Sequence, residues 1–269
     1  MTEIKMTEIK MTENINDTVF EINKMSLFYE PESPEEKECE PHWQASLRQK
    51  FDEITPFTRG WIDSSHTKFG KHFDTRFRGP HSNCNWVIPG ALMVGDYPEF
   101  DCQMRAIQSA GITTFACLNV EYGTPDVKRG HNYPRYGDKL PAGHFHHFPI
   151  VDMNITKDEP GLVRFCRTLT ECLLRGEKLY VHCSGGHGRT GTVIGIMLKM
   201  LFADLTLDEI FDHIQCAHDQ RVSHNYGAYS DWAKFIVEKE LHDKFAPGQV
   251  PSPQLSIQRN QVIKVISEL

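Results

Sequence analysis

Positive charge is in short supply in this chain. Lys and Arg total 29 against 36 Asp and Glu in 269 residues, giving a net charge of −7 and a pI near 6.0. No excess field exists to hold a nucleic-acid backbone, so a general nucleic-acid binder is excluded, although a local basic patch is not. Long hydrophobic runs are missing too. A spanning helix needs ~18 or more uninterrupted apolar residues. The best stretch, Val193 to Leu205, is broken by Lys199 and Asp204. The N-terminus has no apolar core of the kind that signal peptides carry, which implies a cytoplasmic or nuclear address. Eight cysteines in such a chain read as free thiols, not as a disulfide framework.

What is present divides into unequal parts. Residues 1–40 read as a disordered, acidic N-terminal segment: MTEIK occurs twice in succession, and PESPEEKECE has too little apolar surface to offset ordering entropy. The repeat is an interaction motif or, as the plainer reading, repeat drift or alternative starts. Residues 41–83 read as an N-terminal wrap, helical and then extended. Trp43, Leu47, Phe51 and Ile54 recur at helical spacing, and aromatics then alternate with Arg and Lys from Phe57 to Arg78. That stretch either docks an anionic partner or packs its aromatics on the main domain.

The main domain is expected over 84–244. WVIPGALMVGDYP gives a strand, a Pro-Gly turn and a second strand, and residues 99–110 a helix stopped by Gly111. Short apolar strands at 113–120, 144–151 and 179–183 alternate with helices at 161–174, 190–202, 206–219 and 229–242, and 122–143 reads as a loop. The class is therefore α/β, with a central, mainly parallel sheet of about five strands flanked by helices. Residues 245–269 read as a linker and an amphipathic helix, whose stripe Val262, Val265, Ile266 and Leu269 serves a partner or folds back.

The segment VHCSGGHGRTGT, 181–192, carries the chemistry. A phosphomonoester dianion needs converging donors, a matching cation and a nucleophile beneath phosphorus. A loop closing onto a helix N-terminus supplies inward N–H groups and the positive end of the helix dipole. Ser184, Gly185, Gly186, His187 and Gly188 form that cradle, its glycines allowing unusual backbone angles and close approach. Arg189 opens the helix, where its planar fork can bond two phosphate oxygens. Cys183 lies at the strand end, and the donors that bind phosphate also favour its thiolate. Thr190 can place a hydroxyl near the sulfur and assist hydrolysis of a phosphocysteine. His182 is expected to point away from substrate and bond the loop backbone. Of the eight cysteines only Cys183 has an arginine six positions on. The bland alternative is a Gly-rich turn holding a buried thiol.

His, Cys, five residues, Arg and then Thr resembles the signature of the cysteine-dependent protein phosphatases. The entry strands IPGALMVGDYP, the Gly186-to-Gly191 ending and FPIVD are similar to the atypical dual-specificity branch, including the cyclin-dependent kinase inhibitor 3 type. The resemblance covers about residues 84–240 and leaves the first 80 outside. It implies hydrolysis of phosphotyrosine, and of phosphoserine or phosphothreonine, in a phosphoprotein substrate, with no metal or other cofactor. It also implies a general acid about 30 positions before the cysteine. Asp152 stands 31 before Cys183, with Asp158 and Glu159, 25 and 24 before, as rivals. No Trp-Pro-Asp loop and no water-positioning glutamine match the larger tyrosine phosphatases, and Arg221 is left unassigned. His144, His146 and His147 either enlarge a polyanion site or bind metal, or simply end a solvated strand. A phosphoinositide or inositol-phosphate phosphatase and a phosphate-binding pseudophosphatase adaptor are the alternatives. Partner docking is expected, if anywhere, through 41–83 or 254–269.

Overall fold

The computed structural model describes residues 44–54, 75–126, 131–221 and 253–269. The expectations for 1–40, for most of the basic–aromatic stretch, for the helix at 229–242 and for most of the linker lie outside these residues.

Five strands form one sheet in the order β1-β2-β7-β3-β6. They are β1 (Cys84–Ile88), β2 (Leu92–Gly95), β3 (Thr114–Asn119), β6 (Phe145–Ile150) and β7 (Leu179–His182), with β4 (Pro125–Asp126) and β5 (His131–Asn132) making a separate small hairpin. β1 runs antiparallel to β2, while the β2–β7, β7–β3 and β3–β6 pairs are parallel. The expected mainly parallel sheet is what forms, with the Pro-Gly turn delivering its one antiparallel edge. Every residue of β3 is buried, as a strand covered on both faces must be.

Six helices are described: α1 (44–54), α2 (Asp101–Ser109), α3 (Glu159–Leu174), α4 (Gly188–Leu201), α5 (Leu207–Asp219) and α6 (Pro253–Ser267). Against one sheet face pack Leu162 and Leu169 of α3, Val193 and Ile196 of α4, and Leu47 and Phe51 of α1. Against the other pack Met104 and Ile107 of α2 with Tyr97, Tyr133 and Tyr136. The segment expected as plain loop, 122–143, thus includes the hairpin and a 3-10 turn at Tyr136–Lys139, and its tyrosines form part of the core. Its apolar content is aromatic, without the periodicity that announces an element.

The described parts of the two segments expected to dock a partner pack largely within the chain. The stripe on α6 faces this chain's own α4: Val262 and Val265 are 2% and 1% exposed, and a Cβ on Gly195 would lie 3.1 Å from Val262. Gln258 and Gln261 donate to the carbonyls of Asn154 and Thr156 at 3.0 and 2.7 Å. Likewise Leu47, Phe51 and Ile54 of α1 are buried, and Phe77 is fully so. The helical layer of the sheet covers most of these apolar side chains, while Leu269 at the end of the stripe stays exposed.

Candidate active site

The parallel strands of a sheet end on one edge, and β7 is central in this one. Cys183 follows β7 directly and is 3% exposed. The chain then turns through 184–187 into α4, which starts at Gly188, two residues earlier than its periodicity suggests. Gly186 has φ +68°, and a Cβ there would meet the Gly95 carbonyl oxygen at 2.3 Å, so no other residue fits. At Gly188 a Cβ would displace the end of the Gln258 side chain on α6.

Behind the turn lies Arg221, which the sequence left without a role. Its Nε donates to Asn85 Oδ1 at 2.7 Å, and its Nη1 and Nη2 donate to the carbonyls of Gly185 and Gly186 at 2.8 and 3.0 Å. In a planar trans peptide the following N–H points opposite to the C=O. Holding both carbonyls back therefore turns the amides of Gly186 and His187 away from Arg221. Burial pulls the guanidinium below its ordinary pKa, opposed by nearby acidic groups that include Asp96. Burial pushes the Asp96 carboxyl up to about 6, with Asn83 and Arg221 opposing.

The Arg189 guanidinium is fully engaged within the chain. Arg189 Nη2 lies 2.9 Å from Asp152 Oδ1 and donates to Ser184 Oγ at 2.9 Å. Its Nη1 donates to the Ile150 carbonyl at 3.1 Å and lies 3.6 Å from Glu121 Oε2. Glu121 was missed in the sequence. Its signal is the register: Asn119 pairs with Ile150 across parallel β3 and β6, so residues two places on, Glu121 and Asp152, arrive abreast. Asp152 Oδ1 also accepts from the Met153 amide at 3.0 Å, an amide aimed by a left-handed backbone at φ +57°.

The remaining candidates sort by contact. Ser184 Oγ also accepts from Asn119 Nδ2 at 2.9 Å and meets the Tyr133 hydroxyl at 3.2 Å. His182 is buried, with Nδ1 3.2 Å from the Cys183 carbonyl and Nε2 bonded to the Tyr136 hydroxyl. Burial lowers its pKa to about 3, so it is neutral scaffold. His187 packs edge-on against His218 of α5, ring centroids 4.8 Å apart. Thr190 is buried, and its hydroxyl makes no hydrogen bond to Cys183 or to any other group.

The rivals stand elsewhere. Asp158 caps α3, its Oδ1 accepting from the Gly161 amide at 2.9 Å, and Glu159 pairs with Lys264. His144 meets Thr114, His146 meets Cys172, and His147 meets the Asn119 carbonyl, so the three histidines do not converge. No cluster of three metal-ligating side chains occurs among the described residues. The cysteines among them are free.

A cysteine-bearing turn between a central parallel strand and a helix, with an arginine one residue into that helix, is the arrangement of the dual-specificity phosphatase class. The family model "Swiss Army Knife protein, DSP-PTPase phosphatase domain" matches residues 81–223, and the chain belongs to that family. It is 29% identical over 168 residues to "Putative tyrosine phosphatase 067L" of Invertebrate iridescent virus 3, covering 61% of this chain and 65% of that protein. It is 38% identical over 119 residues to "Putative tyrosine phosphatase 197R" of Invertebrate iridescent virus 6, covering 40% and 39%. The chain thus spans less than two thirds of either relative. Among solved structures, that of Tk-PTP in its active form is similar at 18% identity and a TM-score of 0.43, covering 70% of this chain and 98% of that one.

Proposed function

We propose that the chain is a phosphoprotein phosphatase that hydrolyses phosphotyrosine, and phosphoserine or phosphothreonine, through a phosphocysteine. The observation that carries this is Arg189, buried and bonded to Ser184, the residue after Cys183, with the Asp152 carboxylate on its Nη2. The phosphoryl oxygens take Arg189 and the amides that Arg221 turns forward. The Cys183 thiolate attacks phosphorus, the P–O ester bond breaks, and Asp152 gives its proton to the leaving oxygen. Water then attacks phosphorus, Asp152 accepts its proton, and the P–S bond breaks to release inorganic phosphate and the thiolate.

The phosphoinositide alternative gains nothing from this site. Glu121 and Asp152 place two carboxylates at the clamp, where a polyphosphorylated ring would bring further negative charge. The test is a panel of phosphotyrosine and phosphothreonine peptides, phosphoinositides and inositol phosphates, run with Cys183→Ser beside the native protein. Turnover of the peptides that vanishes in Cys183→Ser, with phosphate binding retained, is the expected result. Substantial turnover by Cys183→Ser removes covalent catalysis through this residue.

A further inference from the structure

Six large apolar side chains stand exposed among the described residues: Phe100, Val120, Val151, Met153, Ile263 and Leu269. Four of the six sit in loops leaving the C-terminal ends of β2, β3 and β6, the edge on which Cys183 lies. The strand order decides their arrangement. Phe100 follows β2, on one side of central β7, while Val120, Val151 and Met153 follow β3 and β6 on the other. The loop that carries Phe100 is tied to the cradle, the Tyr97 amide donating to the Ser184 carbonyl at 3.0 Å. Val120 and Val151 immediately precede the two carboxylates that flank Arg189. Met153 is the only non-glycine residue with positive φ among those described, and its strained turn leaves the side chain 54% exposed. Strain and exposed apolar surface at one rim mark a place that is covered in use.

Charge narrows what covers it. Residues 96–101, 120–124 and 151–156 contain Asp96, Glu99, Asp101, Glu121 and Asp152 and no Lys or Arg of their own, although Asp101 pairs with Lys139, Glu121 and Asp152 share Arg189, and Arg135 lies over Tyr122. These loops hold no cluster of basic residues, which is what docking on an anionic bilayer draws on. We infer that the rim is a docking surface for an extended phosphopeptide whose residues on either side of the phosphoresidue are apolar, and that it rejects acidic flanks. The phosphate occupies the cradle, one neighbouring side chain lies on Phe100, and the other lies on Val120, Val151 and Met153. Apolar anchors inside a polar surround are the usual source of affinity at such contacts. This inference rests on the phosphatase reading and names its substrate more narrowly.

The experiment measures kcat/KM of the full chain on phosphotyrosine peptides that carry Leu, Ser or Glu on both sides of the phosphoresidue. p-Nitrophenyl phosphate is the flank-free reference, and a phosphoinositide in phosphatidylcholine vesicles is the membrane arm. The expected result is Leu over Ser over Glu, with a Leu-to-Glu ratio of about tenfold or more, the scale of discrimination that apolar subsites give. Phe100→Ser, and separately Val120→Ser, should each shrink the Leu-to-Ser ratio. The second variant keeps the test alive if the first misfolds. Equal rates on all three peptides, with Cys183-dependent turnover of p-nitrophenyl phosphate intact, overturn the inference and leave the phosphatase reading standing. A vesicle substrate preferred over every peptide also overturns it. Absence of turnover on any phosphomonoester removes the reading and the inference together.

Discussion

Arg189 and Arg221 differ by what their guanidinium groups face. Arg189 faces two partly exposed carboxylates that a ligand can displace. Arg221 faces buried backbone oxygens that nothing displaces. Substituting Arg221→Met should leave those acceptors unpaired, at about 1–3 kcal/mol each. It should also let the amides of Gly186 and His187 turn away, lowering both kcat and vanadate affinity. A variant with native kcat and vanadate affinity would show that the turn holds its shape unaided. Asp152→Asn should reduce turnover of a poor-leaving-group phosphoester by about 10²–10⁴-fold, the range of general acid catalysis. The loss should shrink for an activated aryl phosphate. Asp158→Asn should do little to turnover or stability, because an Asn oxygen caps a helix about as well as Asp. A large, leaving-group-dependent defect in Asp158→Asn would overturn the assignment of the acid.

Elements decide what those residues can reach. Glu121 lies two residues past the end of β3, and only its pairing with β6 sets it beside Asp152. No spacing along the chain encodes that approach. The helix α6 gives the opposite lesson. Its apolar stripe was legible, but its destination was not, since any apolar face fits the same pattern. It lies on α4, the helix that bears Arg189, and reaches Gly188 through Gln258. Val262→Asp should therefore bury an unpaired carboxylate and destabilise the whole domain, lowering the thermal midpoint together with activity. A Val262→Asp protein with native midpoint would mean that α6 is free of the core in solution.

For the molecule as a whole, pH reports the balance of buried groups. Burial lowers the pKa of His182 to about 3 and that of His213 to about 4. The unfolded chain takes up both protons below about 6.5, whereas the native state refuses them until far lower pH. Their contribution is present above pH 6.5 and is lost as pH falls. Asp96 works the other way. Its carboxyl, raised to about 6, takes a proton in the native state before it would in the unfolded chain, so folding gains as pH falls through 6. With His81, which burial also lowers to about 4, three imidazole protons stand against one carboxyl proton, a net loss on acidification of order 2 kcal/mol per pH unit between about pH 6 and pH 4.5. Urea unfolding across that range should show it. A flat or rising profile would mean that these imidazoles are not buried neutral.

Composition, alternation and one motif carried the α/β class, the order of strands and helices, and the Cys183-to-Arg189 turn, because each is written in local residue order. Gly186 could be picked out because its conformation is a local demand. The partners of that turn could not. Arg221 lies 36 residues beyond Gly185, Glu121 comes from another strand, and Tyr133 and Tyr136 sit in a stretch without periodicity. Their roles depend on burial and on strand register, which arise only when distant segments pack. So the sequence by itself determined where the Cys183-to-Arg189 turn sits and which helix follows it. The tertiary structure decided what holds the cradle open, which carboxylates meet the clamp and where the amphipathic tail lies.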